Sequence, residues 1–184
     1  LNMVAVDNTL LSLLLHDGAR PPKDPATEKP LTHVRERLEL LVESWELAGE
    51  RILIPTPVLS EFLILAADDG DKYLSEISGT HLFMVEPFDE RAAIELAAMN
   101  LAIMSRRDKR EAKRGAGPAT WAKITFDRQL VAIAKSRGVK TIYSDDGGVE
   151  RFAERYGISV IQTWKLPLRS DAYLPFDQED PTHT

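Results

Sequence analysis

Five short apolar runs, Met3–Val6, Ile52–Ile54, Leu82–Val85, Val139–Tyr143 and Ile158–Ile161, constrain the fold of this chain more than any other feature. Each is rich in Val, Ile or aromatic residues and is bounded by Gly, Pro or charged residues. They do not read as apolar–polar alternation. A strand that is apolar at successive positions needs hydrophobic cover on both faces, which is the condition of a parallel sheet packed between helices. The segments between the runs supply those helices. Leu31, Val34, Leu38, Leu41, Val42 and Trp45 recur at helical spacing, with Thr32 the expected N-cap and Gly49 the expected stop. Thr56-Pro57 predicts a second start with Thr56 as the cap. Asp89 is expected to cap a helix running to about Met104, and a last clear helix is expected from Phe126 to a stop at Gly138. Pro21, Pro22, Pro25 and Pro30 make 18–30 a loop. The fold class is therefore α/β, a three-layer α/β/α sandwich with a central, mainly parallel sheet. One domain is expected over 1–165, followed by an acidic C-terminal tail over 166–184.

With 184 residues the chain buries a core without disulfides or a structural metal. It has no cysteine, which excludes a disulfide scaffold, a cysteine nucleophile, a thiolate zinc site and an iron–sulfur cluster. No apolar run approaches the roughly 20 residues that span a bilayer, and no basic n-region of a secretory signal opens the sequence, so a cytoplasmic protein with no membrane partner is expected. Met3 reads as the native start. The net charge of -6 conceals an uneven distribution. Asp171, Asp177, Glu179 and Asp180 acidify the tail, whereas Arg106, Arg107, Lys109, Arg110, Lys113 and Arg114 form a basic run interrupted only by Asp108, Glu111 and Ala112.

In open parallel sheets, ligands sit beyond the carboxyl ends of the strands. Asp7 follows the first apolar run, and Ser144, Asp145 and Asp146 follow the fourth. Turn-forming Asp is ordinary at a strand end; acids after two strands at one edge are less so. Glu61 lies in a stretch, Val58 to Ala67, that is otherwise apolar except for Ser60. Such a helix is expected to be buried, and an acid within it to be paired or ligating. Asp127 falls where the first turn of the last helix is expected, a position at which acids complement the helix dipole. Four acids reachable from one sheet edge repel one another unless a cation holds them. Hard oxygen donors suit Mg²⁺ or Mn²⁺, and His16, His33, His81 and His183 show no spacing for zinc. Acid clusters of this kind serve in-line attack on phosphodiesters.

In their order and context, Val4-Ala5-Val6-Asp7, Pro57-Val58-Leu59-Ser60-Glu61-Phe62-Leu63, Phe126-Asp127-Arg128-Gln129-Leu130-Val131-Ala132-Ile133-Ala134 and Tyr143-Ser144-Asp145-Asp146 resemble the motifs of the PIN-domain nucleases, over about residues 3–162. The resemblance implies a parallel sheet flanked by helices and an Mg²⁺- or Mn²⁺-dependent ribonuclease. It assigns Asp7, Glu61, Asp127 and Asp146 as catalytic and metal-binding residues. Asp145 is left as the variable middle residue of its motif, a metal ligand of lower rank than Asp146. It also implies an RNA substrate and, for the VapC-type toxins of this family, an antitoxin protein as partner; homodimers are common in the family. Three features depart from a compact toxin: the long region 100–123, the extra proline-rich loop and tail, and Gly148 where many relatives carry a further acid.

Two other readings remain. Asp7-Asn8-Thr9 and Asp145-Asp146 also resemble a haloacid-dehalogenase-like phosphatase, although that chemistry requires Asp where Thr9 stands. A catalytically silent PIN-like scaffold binding RNA or protein is the third, and the presence of all four acids argues against it. Trp45, Trp121 and Trp164 are able to stack on bases, but Trp45 fits the apolar face of its helix. The basic run reads either as a nucleic-acid-binding arm or as the solvated end of a long helix.

Overall fold

The computed structural model describes residues 2–105 and 118–169. The basic run from Arg106 to Arg114 and the acidic part of the tail lie outside the described residues.

In chain order the elements are β1 (Met3–Val6), α1 (Asn8–Leu15), α2 (Val34–Ala48), β2 (Arg51–Pro55), α3 (Thr56–Ala66), α4 (Gly70–Ser78), β3 (Phe83–Glu86), α5 (Glu90–Ser105), α6 (Pro118–Ser136), β4 (Thr141–Tyr143), α7 (Gly147–Glu154) and β5 (Ser159–Ile161). Single turns of 3₁₀ helix cover Ala67–Asp69 and Thr163–Lys165. The strands form one sheet in the order β3-β2-β1-β4-β5, and every pairing is parallel. Val4, Ala5, Val6, Ile52, Leu53 and Ile54 are all buried. Successive strand residues point to opposite faces, so burial at every position means that helices cover both. The expected three-layer architecture is the one observed, with an entirely parallel sheet.

The strand order places β1 between β2 and β4. The chain leaves β1 toward β2 and leaves β4 toward β5, so the two connections diverge and open a crevice beyond the carboxyl ends of β1 and β4. Trp45, 1% exposed, packs edge-on against Tyr143 at 5.0 Å between ring centres, and its Nε1 donates to the Tyr143 hydroxyl at 3.3 Å. That contact anchors the last residue of β4, directly before the crevice, and confirms Trp45 as core.

Several helix ends differ from expectation. The residue before α2 is His33 rather than Thr32, in a left-handed conformation without a side-chain cap. Pro55, not Thr56, precedes α3, and the Thr56 hydroxyl instead accepts from the Phe88 backbone N–H at 3.2 Å, tying α3 to the strand exit next door. Asp89 does cap α5, accepting from the N–H of Ala92 at 3.0 Å. Gly49 and Gly138 close α2 and α6 with φ of 63° and 75°, a region that costs other residues strain.

The largest difference concerns α6. It begins at Pro118, so Asp127 is a mid-helix residue and the dipole account of it fails. Side-chain bonds to neighbouring elements, among them the Lys135–Glu95 ion pair to α5, hold this helix in register. Arg128 Nη1 donates to Asn100 Oδ1 of α5 at 2.7 Å. At its far end Arg137 bridges Glu86 at 2.6 Å and Asp89 at 2.9 Å. Beyond β5, Leu166 is buried, its carbonyl accepts from Arg37 of α2, and Arg169 pairs with Glu43 at 2.7 Å.

Candidate active site

Asp7 follows β1 directly and serves as the N-cap of α1. Its Oδ1 accepts from the Leu10 N–H at 2.9 Å and its Oδ2 from the Ser144 hydroxyl at 2.6 Å. The same Ser144 hydroxyl accepts from the Asp146 N–H at 3.1 Å, so one buried serine couples the ends of β1 and β4. Asp7 is only 8% exposed. Burial pushes its carboxyl up to about 6, against the lowering effect of its hydrogen bonds to Leu10 and Ser144.

Asp146 caps α7 in the same manner. Its Oδ1 accepts from the N–H groups of Gly148 at 2.5 Å and Val149 at 3.4 Å, and its Oδ2 lies 2.5 Å from the Lys123 ammonium. Burial opposes ionisation of Asp146, but the Lys123 contact and the two backbone donors outweigh it, and the carboxyl is held below its ordinary value. Asp127, one helical turn after Lys123 on α6, goes the other way. Burial first, and then repulsion from Asp146, push it up to about 6.

These groups share one cleft. Asp7, Glu61, Asp127 and Asp146 line a cavity of about 250 Å³ at the crevice, together with Lys123 and Phe126. The four acids singled out in the sequence are thus brought to one place from β1, α3, α6 and the end of β4. Glu61 arrives there for a different reason than expected. Helix α3 is not buried all round: Ile64 is 76% and Leu65 67% exposed, and Glu61 itself is exposed. Only the face carrying Pro57, Val58 and Phe62 is buried, so Glu61 stands at the mouth of the cleft as a solvated acid.

Asp145 takes no part in the cavity lining. Both its oxygens are engaged by Thr163, accepting from the backbone N–H at 2.6 Å and from the hydroxyl at 2.9 Å. Burial raises its pKa, and the Thr163 bonds oppose the rise.

Two contributors were not legible in the sequence. Lys123 escaped notice because the helix was expected to begin at Phe126; its four-residue spacing from Asp127 is the signal that an earlier start would have exposed. Gly148 is the other. A Cβ built on it would lie 2.8 Å from Asp146 Oδ1 and 3.2 Å from Asp127 Oδ2, so the missing side chain is what lets these two carboxylates approach.

In donor type the cleft suits a hard divalent cation, and the raised pKa values of Asp7 and Asp127 show the electrostatic cost that such a cation would relieve. No group of three acidic or histidine side chains among the described residues is drawn together closely enough to hold an ion. Among the described residues lining the cleft, the positive charge is the Lys123 ammonium.

Comparison with solved structures finds this fold in three VapBC structures. A chain of DNA-bound VapBC from Salmonella typhimurium is 17% identical, with a TM-score of 0.50 over 89% of this chain and 99% of its own. A chain of VapBC2 from Rickettsia felis, bound to a promoter DNA fragment, is 10% identical, with a TM-score of 0.51 over 87% of this chain and 98% of its own. A chain of VapBC-1 from nontypeable Haemophilus influenzae is 11% identical, with a TM-score of 0.52 over 89% of this chain and 99% of its own. No protein-family model matches the sequence, and no curated protein is similar to it. At these identities the likeness is one of fold, and the fold is the PIN-like α/β/α sandwich that the sequence motifs led us to expect.

Proposed function

We propose that this chain is a VapC-like, divalent-metal-dependent endoribonuclease acting at the cleft between β1 and β4, with an antitoxin protein as its partner. The observation that carries the reading is the convergence of Asp7, Glu61, Asp127 and Asp146 on one cavity at the topological switch point of the sheet. The fold shared with chains of VapBC supports the toxin–antitoxin pairing.

Asp7, Glu61, Asp127 and Asp146 would hold Mg²⁺ or Mn²⁺. When bound, the ion supplies charge neutralisation at the phosphodiester and lowers the pKa of water at the site. The chain's own residues do the rest. Ser144 and the Leu10 N–H fix both oxygens of Asp7, so this carboxylate is oriented before substrate arrives. The Gly148 and Val149 N–H groups do the same for Asp146. Asp127, carried into the same cleft by α6, would complete the set of carboxylates around the ion. Phe126, 41% exposed at the rim of the cleft, offers an aromatic face to a base. Asp145 stays with Thr163 and outside the metal shell.

Incubation with a generic single-stranded RNA tests the reading. Cleavage is expected with Mg²⁺ or Mn²⁺ and none with EDTA, and a small phosphomonoester should remain intact. Hydrolysis of the phosphomonoester without RNA cleavage would instead support the phosphatase. RNA binding without cleavage at any metal concentration would support the scaffold.

A further inference from the structure

Lys123 enters the carboxylate cleft from α6, one turn before Asp127 and on the same helix face. Among the described residues lining the cavity it alone is basic. Its ammonium is 2.5 Å from Asp146 Oδ2, while Oδ1 of the same carboxylate is engaged by two backbone N–H groups. The oxygen that Lys123 holds is therefore the one of Asp146 left free by the backbone. A divalent ion on that oxygen and an ammonium in contact with it would repel each other strongly at such a separation. Lys123 is free to leave. Its side chain is 63% exposed and sits on a flexible four-carbon stem, whereas Asp146, 27% exposed, is fixed as a helix cap.

We propose that Lys123 is the resident counter-ion of the cleft, holding Asp146 in the metal-free protein and yielding that oxygen to the divalent ion when one binds. The proposal rests on the reading of the cleft as a metal site. It makes Lys123 a positioning residue that sets metal affinity, rather than an ordinary surface ion pair. Surface pairs contribute little to stability and have no reason to be coupled to metal.

Calorimetric titration of the full chain with Mn²⁺ tests this, with Asp7→Asn as the site control. Lys123→Met should bind Mn²⁺ about three- to tenfold more tightly than the parent, the range expected for removing one competing, partly screened charge. Lys123→Arg, which restores the cation, should bind within about twofold of the parent. In EDTA the melting temperature of Lys123→Met should fall below that of the parent, and at saturating Mn²⁺ the gap should close. Lys123→Gln serves as a second neutral variant if the Met variant misfolds. Parent binding that is lost in Asp7→Asn but unchanged or weakened in both neutral variants would overturn the counter-ion role alone. Absence of Mn²⁺ binding in the parent would overturn the metal-site reading and the proposal with it.

Discussion

Asp7 and Asp146 occupy similar places, each beyond the carboxyl end of a parallel strand and each an N-cap, yet they titrate in opposite directions. The difference is the neighbour: Asp7 has only neutral donors in a buried setting, whereas Asp146 has an ammonium. A sign follows for stability. The folded pKa of Asp7, about 6, exceeds its ordinary 3.8, so its ionisation destabilises the fold. The penalty is absent below pH 3.8, grows as pH rises between the two values, and is complete above about 6. Asp7→Asn should therefore stabilise the metal-free protein by up to about 3 kcal/mol at neutral pH and by nothing below pH 3.8, as read from denaturant melts across that range. The same change should abolish cleavage. Gly148→Ala gives a contrasting outcome. The new Cβ meets Asp146 Oδ1 at 2.8 Å, so cleavage should drop at least about tenfold while stability shifts by less than about 1 kcal/mol, because Ala favours the helix it joins. The two adjacent acids also separate: Asp146→Asn should cost activity, whereas Asp145→Asn, which keeps an amide oxygen for the Thr163 N–H and an amide N–H for its hydroxyl, should leave cleavage largely intact. A cleavage assay in which Asp145→Asn is the more damaging would reverse this ranking.

At the scale of elements, the site depends on how firmly α2 and α6 are docked. Trp45 of α2 presses on Tyr143 immediately before Ser144, so truncation there should be felt in the cleft. Trp45→Ala should cost about 3–5 kcal/mol of stability, measured by chemical denaturation; a cost under 1 kcal/mol would mean that the β4 end is held by something else. The strands were legible because each is a short, unalternating apolar run, and the caps at Asp89, Gly49 and Gly138 were legible because their chemistry is local. The start of α6 was not. Thr120, Thr125 and the Gly115-Ala116-Gly117-Pro118 break obscure a helical pattern that α5 completes through Asn100 and Arg128. The same misplaced start hid Lys123 and gave Asp127 the wrong local explanation. Glu61 was found through an argument that does not hold, since the exposed Ile64 and Leu65 show that an apolar helix sequence need not mean a buried helix.

For the molecule as a whole, charge is divided between an acid-lined cleft and a basic run elsewhere in the chain. A polyanionic substrate approaching four carboxylates needs compensating positive charge, and Arg106, Arg107, Lys109, Arg110, Lys113 and Arg114 are proposed to supply it at the phosphate backbone. Changing Arg106, Arg107, Arg110 and Arg114 to Gln should weaken RNA binding and flatten the dependence of log K on log salt by up to about 3 units on single strands. Turnover at saturating RNA should be largely unaffected, because contacts made equally in ground and transition states contribute uniform binding. A salt slope unchanged in the quadruple variant would remove these residues from the RNA-binding surface.

Four carboxylates, carried to one crevice by β1, α3, α6 and β4, are proposed to form a divalent-metal site. Anomalous difference density from crystals grown with Mn²⁺ tests it most directly. A peak is expected within the cleft, bounded by Asp7, Glu61, Asp127 and Asp146, with the Lys123 ammonium withdrawn from Asp146. A peak confined to other acids, or none in the cleft at a saturating Mn²⁺ concentration, would contradict it.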